Sequence, residues 1–534
     1  MEIEFKFCIP AGRLGAVTAA VRRGRYVPIR MEARYYDTPD AALSSRGIAL
    51  RLRREGDQWV QTVKALGDGP LDRHEHNVPR GAAGPDGAPA LSPNLHAGSP
   101  AGELLLRALA KAAGPLAETY GTEMDRITRD VTFAGGGTAE LALDTGRVVA
   151  HRGTPQEKSA RICELEIELK SGSVAGLALL AGRWARQHGL VLSTVSKAER
   201  GERLLAPQWA RPAAKARTLQ WSGNGPFLHE PTLQRAVVAN CLGQILPNAS
   251  EIVESADADA DSGTDLAEHV HQLRIGLRRL RTALRELNAL APGRFAPTWE
   301  PALQDVFQRL GGLRDREQVL RAMNAELREA GAPASLLPAT ADAPGSAAPD
   351  IVRTPAFQSA LIELMGFSAA PAEAGSLEDD TAAPTPKEAR TRLQKRLRTL
   401  RNKVQADGRR IDSLDAQAQH RLRKRLKRLR YLTEFLAPVL DGDELTAFLE
   451  SLRPALDTLG RLQDERVASE LYADIASKDP RAWFGVGWLT ARRDRSTVAC
   501  RKALARIGEV PRLRKPRAAS KAHPAPEGRK ARKR

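Results

Sequence analysis

Aromatic residues make up only 4% of this 534-residue chain. That scarcity argues against a surface of stacking platforms for single-stranded nucleic acid. Cysteine is rarer still: Cys8, Cys163, Cys241 and Cys500 are scattered, with no C-x-x-C pair. Neither a disulfide framework nor a structural zinc site is expected from such spacing. No apolar run is long enough to span a bilayer, and the N-terminus opens on Glu2, Glu4 and Lys6 rather than on a basic-then-apolar leader. A cytoplasmic protein without a membrane partner is the expectation. A Walker-type phosphate loop is also missing. Gly135-Gly136-Gly137 lacks the following Lys-Ser/Thr and reads as a hairpin turn, which disfavours an ATP-driven motor or kinase.

Positive charge, by contrast, is plentiful. The formal net charge is +18, and the length suffices for about two to four domains. Residues 1–210 hold 28 Lys and Arg against 24 Asp and Glu, a net of only +4, so the remainder carries +14. The anionic partner should therefore meet the C-terminal part.

That part contains a repeat. His271-Gln272-Leu273-Arg274-Ile275-Gly276-Leu277-Arg278-Arg279-Leu280-Arg281 returns 149 residues later as His420-Arg421-Leu422-Arg423-Lys424-Arg425-Leu426-Lys427-Arg428-Leu429-Arg430. The same offset carries Leu310-Gly311-Gly312-Leu313-Arg314-Asp315 onto Leu459-Gly460-Arg461-Leu462-Gln463-Asp464. Two motifs that keep their separation indicate a duplicated helical unit. On a helix, His271, Arg274, Arg278, Arg281 and Arg285 share one face, and His420, Arg423, Lys427 and Arg430 form its counterpart. Packing two such faces together is costly unless a polyanion neutralises them, so a phosphate-rich ligand is expected there. His271 and His420 could add charge below about pH 6.5 or donate as neutral rings. Asp315 and Asp464 read as capping or helix-contact residues.

Beside each basic face runs an apolar stripe: Val270, Leu273, Leu277, Leu280, Leu284 and Leu287, then Leu422, Leu426, Leu429 and Leu436, with Thr433 interrupting the second. Leu393, Leu397, Leu400 and Val404 mark a further basic helix. An all-α domain of two related bundles is expected over residues 227–510. It carries a flexible Ala/Pro-rich insert at 331–386, around a short helix near Phe357–Met365. Residues 206–226 read as a linker and 511–534 as a basic disordered tail.

Residues 1–205 alternate strand patterns with Gly/Pro turns. Strands are expected at Glu2–Ile9, Ala33–Asp37, Ile48–Glu55, Trp59–Ala65, Asp72–Val78, Asp125–Phe133, Ala139–Ala150 and Arg161–Lys170. Helices are expected at Arg13–Arg22, Ala101–Ala112 and Val174–His188. In Glu2-Ile3-Glu4-Phe5-Lys6 the charges fall on one strand face, as they do in Glu164-Leu165-Glu166-Ile167-Glu168. Arg51 and Arg53, then Thr62 and Lys64, give cationic faces. Rows of like charge suit a closed barrel with a polar interior, in which acidic strands hold divalent cations and basic strands hold the anion those cations bind. His74 and His76 flank Glu75 and read as surface residues. Cys163 points opposite Glu164, which favours a core role.

The N-terminal pattern resembles the CYTH domain of the triphosphate tunnel metalloenzymes. Its E-x-E-x-K, R-x-R and T-x-K elements are matched by Glu2/Glu4/Lys6, Arg51/Arg53 and Thr62/Lys64. Its later Arg strand is matched around Arg126, its Leu-Asp-x-Gly element by Leu143-Asp144-Thr145-Gly146, its E-x-E-x-E strand by Glu164/Glu166/Glu168, and its S-K-x-x-R-G ending by Ser196 to Gly201. The resemblance implies an α+β protein whose N-terminal antiparallel eight-stranded β-tunnel binds triphosphate with Mg²⁺ or Mn²⁺. Glu2, Glu4, Asp144, Glu164, Glu166 and Glu168 would be metal ligands; hard carboxylate oxygens suit those ions. Lys6, Arg51, Arg53, Lys64, Arg126 and Lys197 would clamp phosphate for in-line attack by water.

The C-terminal repeats resemble the CHAD domain, which is associated with inorganic polyphosphate and is often fused to CYTH. His271, Arg274, Arg278, Arg281, His420, Arg423, Lys427 and Arg430 would contact that polymer. The 331–386 insert is not typical of the family. The expected function is hydrolysis of inorganic triphosphate to pyrophosphate and phosphate, in a cytoplasmic protein associated with polyphosphate granules. A non-enzymatic polyphosphate binder, a nucleoside or thiamine triphosphatase and an adenylate cyclase are the alternatives. Nucleic acid is a less favoured partner.

Overall fold

The computed structural model describes residues 2–66, 72–82, 87–206, 211–221, 227–229, 231–257, 266–289, 295–332, 348–370 and 384–514. The side chains of Glu2, Leu66, Asp72, Arg73, Ala256, Asp257 and residues 312–318 and 320–322, Asp315 among them, lie outside the described residues, as do residues 515–534 and half of the 331–386 insert.

The N-terminal half runs β1 (Glu2–Cys8), α1 (Leu14–Val21), β2 (Val27–Asp37), β3 (Ile48–Glu55), β4 (Gln58–Leu66), β5 (Asp72–Ala82), α2 (Pro100–Leu109), β6 (Ala117–Phe133), β7 (Gly137–Ala150), β8 (Lys158–Ser171), α3 (Val174–His188), β9 (Val191–Leu192) and α4 (Lys197–Leu205). The strands pair antiparallel in the order β5-β4-β3-β2-β6-β7-β8-β1. β1 then returns to β5 through the registers Glu2–Arg73 and Ile3–Asp72. Eight strands therefore close on themselves, which removes the free edges of an open sheet. Two-residue β9 completes the other end of β1, at Phe7 and Cys8.

Period-2 alternation decides which way each side chain faces. Phe5 and Phe7 of β1, Leu141 and Leu143 of β7, and Leu165 and Ile167 of β8 turn outward into an apolar core with α3. Ile48, Leu50, Val63 and Ala65 turn outward beneath Leu105 and Ala108 of α2. The charged residues between them are left to the interior. β2 and β6 are longer than the alternation suggests: their ladder runs from Val27–Thr128 to Asp37–Ala117. Pro28, Gly121 and a run of polar residues mask the pattern locally, and pairing overrides propensity. α4 was not expected as a helix. Ser196 caps it by accepting a hydrogen bond from the Glu199 amide.

The helical half comprises α5 (Thr232–Asp257), α6 (Leu266–Asn288), α7 (Trp299–Glu329), α8 (Ala348–Val352), α9 (Pro355–Ala369), α10 (Pro386–Arg409), α11 (Ala416–Phe435), α12 (Gly442–Ala476) and α13 (Trp483–Ala505). α6 packs on α5, α7 and α11, and α11 packs on α10 and α12. Both predicted apolar stripes are buried. Thr433 fits its stripe because its hydroxyl donates to the Leu429 carbonyl at 2.8 Å. α10 starts on a capping box, Thr385 with Glu388, followed by Pro386 in its first turn.

The described parts of the linker and the first residues after 510 bond to helices. In the linker, Ala214 exchanges hydrogen bonds with the Asn248 side chain of α5, at 3.2 and 2.9 Å. At the far end, Gln394 of α10 accepts from the Leu513 amide at 2.8 Å and donates to the Pro511 carbonyl at 3.2 Å. Side-chain amides supply the backbone partners these segments lack. A single apolar cluster runs from β1, β7, β8 and α3 through α5, α6 and α9 to α10–α12.

Candidate functional site

The barrel interior holds a cavity of about 730 Å³. A smaller one of about 170 Å³ shares Arg51, Lys64, Glu166 and Lys197 with it. One wall is acidic. Strand register sets it in rungs: Glu4 of β1, Glu168 of β8 and Glu140 of β7 form one; Lys6, Glu166 and Ala142 the next; Cys8, Glu164 and Asp144 the third. Within the lower rungs the carboxylates of Asp144, Glu164 and Glu166 bring ligand oxygens within 4.8 Å of one another.

Two cations hold this cluster. Arg126 of β6 grips Asp144 in a bidentate pair, Nε to Oδ1 at 2.7 Å and Nη2 to Oδ2 at 2.6 Å, and reaches Glu166 at 2.7 Å. Lys197, the first residue of α4, meets Asp144 at 2.7 Å and Glu166 at 2.8 Å, and also pairs with Glu164. Burial opposes the charges on Glu166, Arg126 and Lys197, but the opposite charges around them outweigh it. Glu166 is held well below the usual carboxylate range by Lys197 and Arg126. Asp144, Glu166 and, for Lys197, Glu164 raise Arg126 and Lys197 above their ordinary values. Glu164 is fully buried, with Oε1 paired to Lys197 and Oε2 3.7 Å from Arg200 Nη2. Such oxygens, clustered and all hard, fit a divalent cation such as Mg²⁺ or Mn²⁺.

The facing wall is basic. Arg51 donates to the Tyr35 hydroxyl at 3.1 Å, Arg53 pairs with Glu55, and Lys64 meets Glu75 at 2.6 Å. Burial and the Arg51 charge push the Arg53 guanidinium down to about 10. Lys6 donates to the Val195 carbonyl. Lys6 and Glu4 line the smaller cavity, and Glu168 lines the larger, paired with Lys170 at 3.1 Å. The sequence reading missed Glu140, Tyr35 and Asn77, which also line these walls. Two steps of two residues back from Asp144, past Ala142, reach Glu140 on the same strand face. His74 is exposed, as expected, and also borders the larger cavity, whereas His76 is half-buried, its Nδ1 3.0 Å from that of His96.

The helical half carries a second cavity, of about 430 Å³, between α6 and α11. Arg274, Arg278, Arg281, His420, Arg423 and Lys427 all line it, joined by Arg285, Lys424 and Arg428. Phe307 of α7 seats three of these cations, with the guanidinium carbons of Arg274 and Arg278 at 5.2 Å and of Arg281 at 5.6 Å from its ring centre. His271 is not among the lining residues. Arg430 turns away to pair with Glu434 at 2.7 Å, because the cavity face of α11 runs through Lys424 and Arg428 instead. Burial and neighbouring cations depress His420, Lys424 and Arg428. The repeated glycines have a steric role. A Cβ on Gly311 would lie 2.9 Å from the Arg274 guanidinium, and one on Gly460 would lie 3.4 Å from that of Arg423. Each copy thus uses its L-G motif to seat the arginine of its H-x-L-R motif.

The fold and its sites define a two-part protein: an antiparallel β-tunnel with carboxylates facing cations, followed by a helical domain with a cation-lined cavity. Residues 1–201 match the CYTH domain model and residues 236–473 the CHAD domain model. The chain is therefore a CYTH domain joined to a CHAD domain. An inorganic triphosphatase from Haemophilus influenzae is 28% identical over 178 residues, 33% of this chain and 46% of the relative, so the match spans about half the relative's length. Among solved structures, the CHAD domain from the plant Ricinus communis is 23% identical, covering 57% of this chain and all of that one, with a TM-score of 0.42. A Hippeastrum protein named as an adenylyl cyclase and described by a dominant triphosphatase activity is 14% identical, covering 38% of this chain and 95% of that one, with a TM-score of 0.26. Among the described residues no helix is long and apolar enough to cross a membrane.

Proposed function

We propose that the tunnel hydrolyses inorganic triphosphate to pyrophosphate and phosphate with a divalent cation, and that the helical cavity binds inorganic polyphosphate. The observation that carries the first part is Glu166, which faces Arg51, Arg53 and Lys64 across one cavity and is clustered with the buried Asp144 and Glu164 behind it. A divalent ion on those carboxylates supplies positive charge to the phosphate oxygens. Arg126 and Lys197 then exchange carboxylate partners for phosphate oxygens, while Arg51, Arg53, Lys64 and Lys6 hold the rest of the chain of phosphates in line. Glu4, Glu168 and Glu140 extend the acidic wall by one rung, within the alternation that includes Glu2. No Phe, Tyr or Trp among the described residues lines the larger cavity, which favours a bare triphosphate over a nucleoside one.

The test is phosphate release from triphosphate with Mg²⁺ or Mn²⁺, with ATP and long-chain polyphosphate alongside. Metal-dependent release from triphosphate, lost in Glu164→Gln and Lys64→Ala, is expected. Equal turnover of ATP would overturn the substrate assignment, and unchanged turnover in both variants would overturn the site. Polyphosphate affinity should fall steeply with salt, because each phosphate contact releases counterions. Salt-independent binding would remove the second part of the reading. Association with polyphosphate granules in a cytoplasmic setting follows from that part and is checked by co-sedimentation.

A further inference from the structure

Helix α5 of the other domain docks against β1 and the β9–α4 segment of the tunnel domain. Ser250 of α5 receives the Thr194 amide at 3.0 Å, and Glu251 pairs with Arg203 of α4. Glu254, one turn on, accepts from Arg200 Nη2 at 2.9 Å, from Ser193 Oγ at 2.8 Å and from Cys8 Sγ at 3.5 Å. Burial and the Glu254 charge push the Cys8 thiol up to about 12, so it remains a neutral donor. The same Arg200 nitrogen lies 3.7 Å from Glu164 Oε2. Glu164 Oε1, on the tunnel side, pairs with Lys197. Glu164 is thus held between a cation inside the site and one behind it, and the rear cation is shared with the helical domain.

Sharing sets how strongly Arg200 competes for the carboxylate. With Glu254 in place, the shorter contact goes to Glu254 and the longer to Glu164. Without the Glu254 charge, the full guanidinium charge falls on Glu164, which becomes a poorer ligand for a cation. We infer that Glu254 of the CHAD domain is a positioning residue for the tunnel, holding Arg200 back so that Glu164 is available to the divalent ion. The inference rests on the metal-dependent reading of the tunnel and adds that the helical domain completes the metal site.

The experiment is Mn²⁺ binding to the full chain, followed through the spectroscopic signal of free Mn²⁺, so it does not depend on turnover. Glu254→Gln should weaken Mn²⁺ by about 10- to 100-fold, the usual effect of losing a group behind a ligand. Glu254→Asp should restore part of the loss. Glu251→Gln touches the same interface but not Arg200, and burial already pushes that carboxyl up to about 7. It should bind Mn²⁺ like the parent. Arg200→Lys tests the link from its other end should the Glu254 variants fail to melt like the parent, and it too should alter Mn²⁺ affinity. Parent-like Mn²⁺ affinity in Glu254→Gln, beside weakened binding in Glu164→Gln, overturns the positioning role alone. Equal weakening in Glu251→Gln overturns it as well, by assigning the effect to a loosened interface. Parent-like affinity in Glu164→Gln overturns the metal site and the inference together.

Discussion

Lys197 is the most heavily committed side chain in the tunnel, serving Asp144, Glu164 and Glu166 at once. Removing it leaves the three carboxylates, two of them buried, with Arg126, Arg200 and Lys6 as their remaining cations. Breaking such a network costs about 3–5 kcal/mol, and losing a phosphate-stabilising donor costs about 10²–10³-fold in rate. Lys197→Ala is therefore expected to melt earlier and to lose most triphosphate turnover. Mn²⁺ should recover part of the melting temperature, since it supplies the missing charge, but not the rate. Identical melting with and without Mn²⁺ would contradict this. His420 provides a pH signature in the other domain. Burial first, then Lys424 and Arg423, keep its folded value below the ordinary histidine range. A polyanion in the cavity cancels that repulsion and raises the value. Proton uptake should then accompany polyphosphate binding, and affinity should rise as pH falls through about 6.5. Calorimetry in buffers of different ionisation enthalpy measures the uptake; uptake undiminished in His420→Gln would show that another group carries it.

At the scale of elements, α6 and α11 repeat a sequence but not an environment. Arg279 of α6 is buried, bonding Asn240 at 2.9 Å and Gln244 at 3.2 Å, whereas its counterpart Arg428 lines the cavity. The glycine that seats each arginine differs in the same way. Gly311 leaves less room for a Cβ than Gly460 does. Gly311→Ala should push Arg274 off Phe307 and lower polyphosphate affinity by about tenfold, one lost charge-assisted contact. Gly460→Ala should cost less. A titration of both variants checks the order, and the reverse order would refute the steric account. Helix periodicity revealed the two stripes because amphipathicity is local. It did not reveal which side of α11 faces α6, so Arg430 was placed on the cavity although it pairs with Glu434. The strand alternation likewise marked one charged face on β1 and on β8. The rung that sets Glu140 beside Glu168 needs β7 and β8 to pair in register, which neither strand encodes alone.

Across the whole molecule, one apolar cluster joins the barrel's outer face to the helices. Gly366 of α9 even admits the Ala178 side chain of α3 at a distance that a Cβ would close to 2.5 Å. With linker and C-terminal strap also docked, the two halves should unfold together. Calorimetry of the full chain is expected to show one transition, shifted by polyphosphate and by Mn²⁺ alike, whereas two separable transitions would mark independent domains. The fold class was legible in the sequence because alternation, helical period and the 149-residue repeat are properties of neighbouring residues. The same holds for the charge imbalance that directs a polyanion to the C-terminal half. Closure of β1 onto β5, the meeting of Asp144 with Glu164 and Glu166, and the reach of Glu254 to Arg200 join residues about 20 to 71 positions apart. The sequence by itself determined which elements form and which faces carry charge, since those follow from local sterics and burial. Tertiary structure alone decided which charges meet, because contact depends on strand register and domain docking that no local pattern specifies.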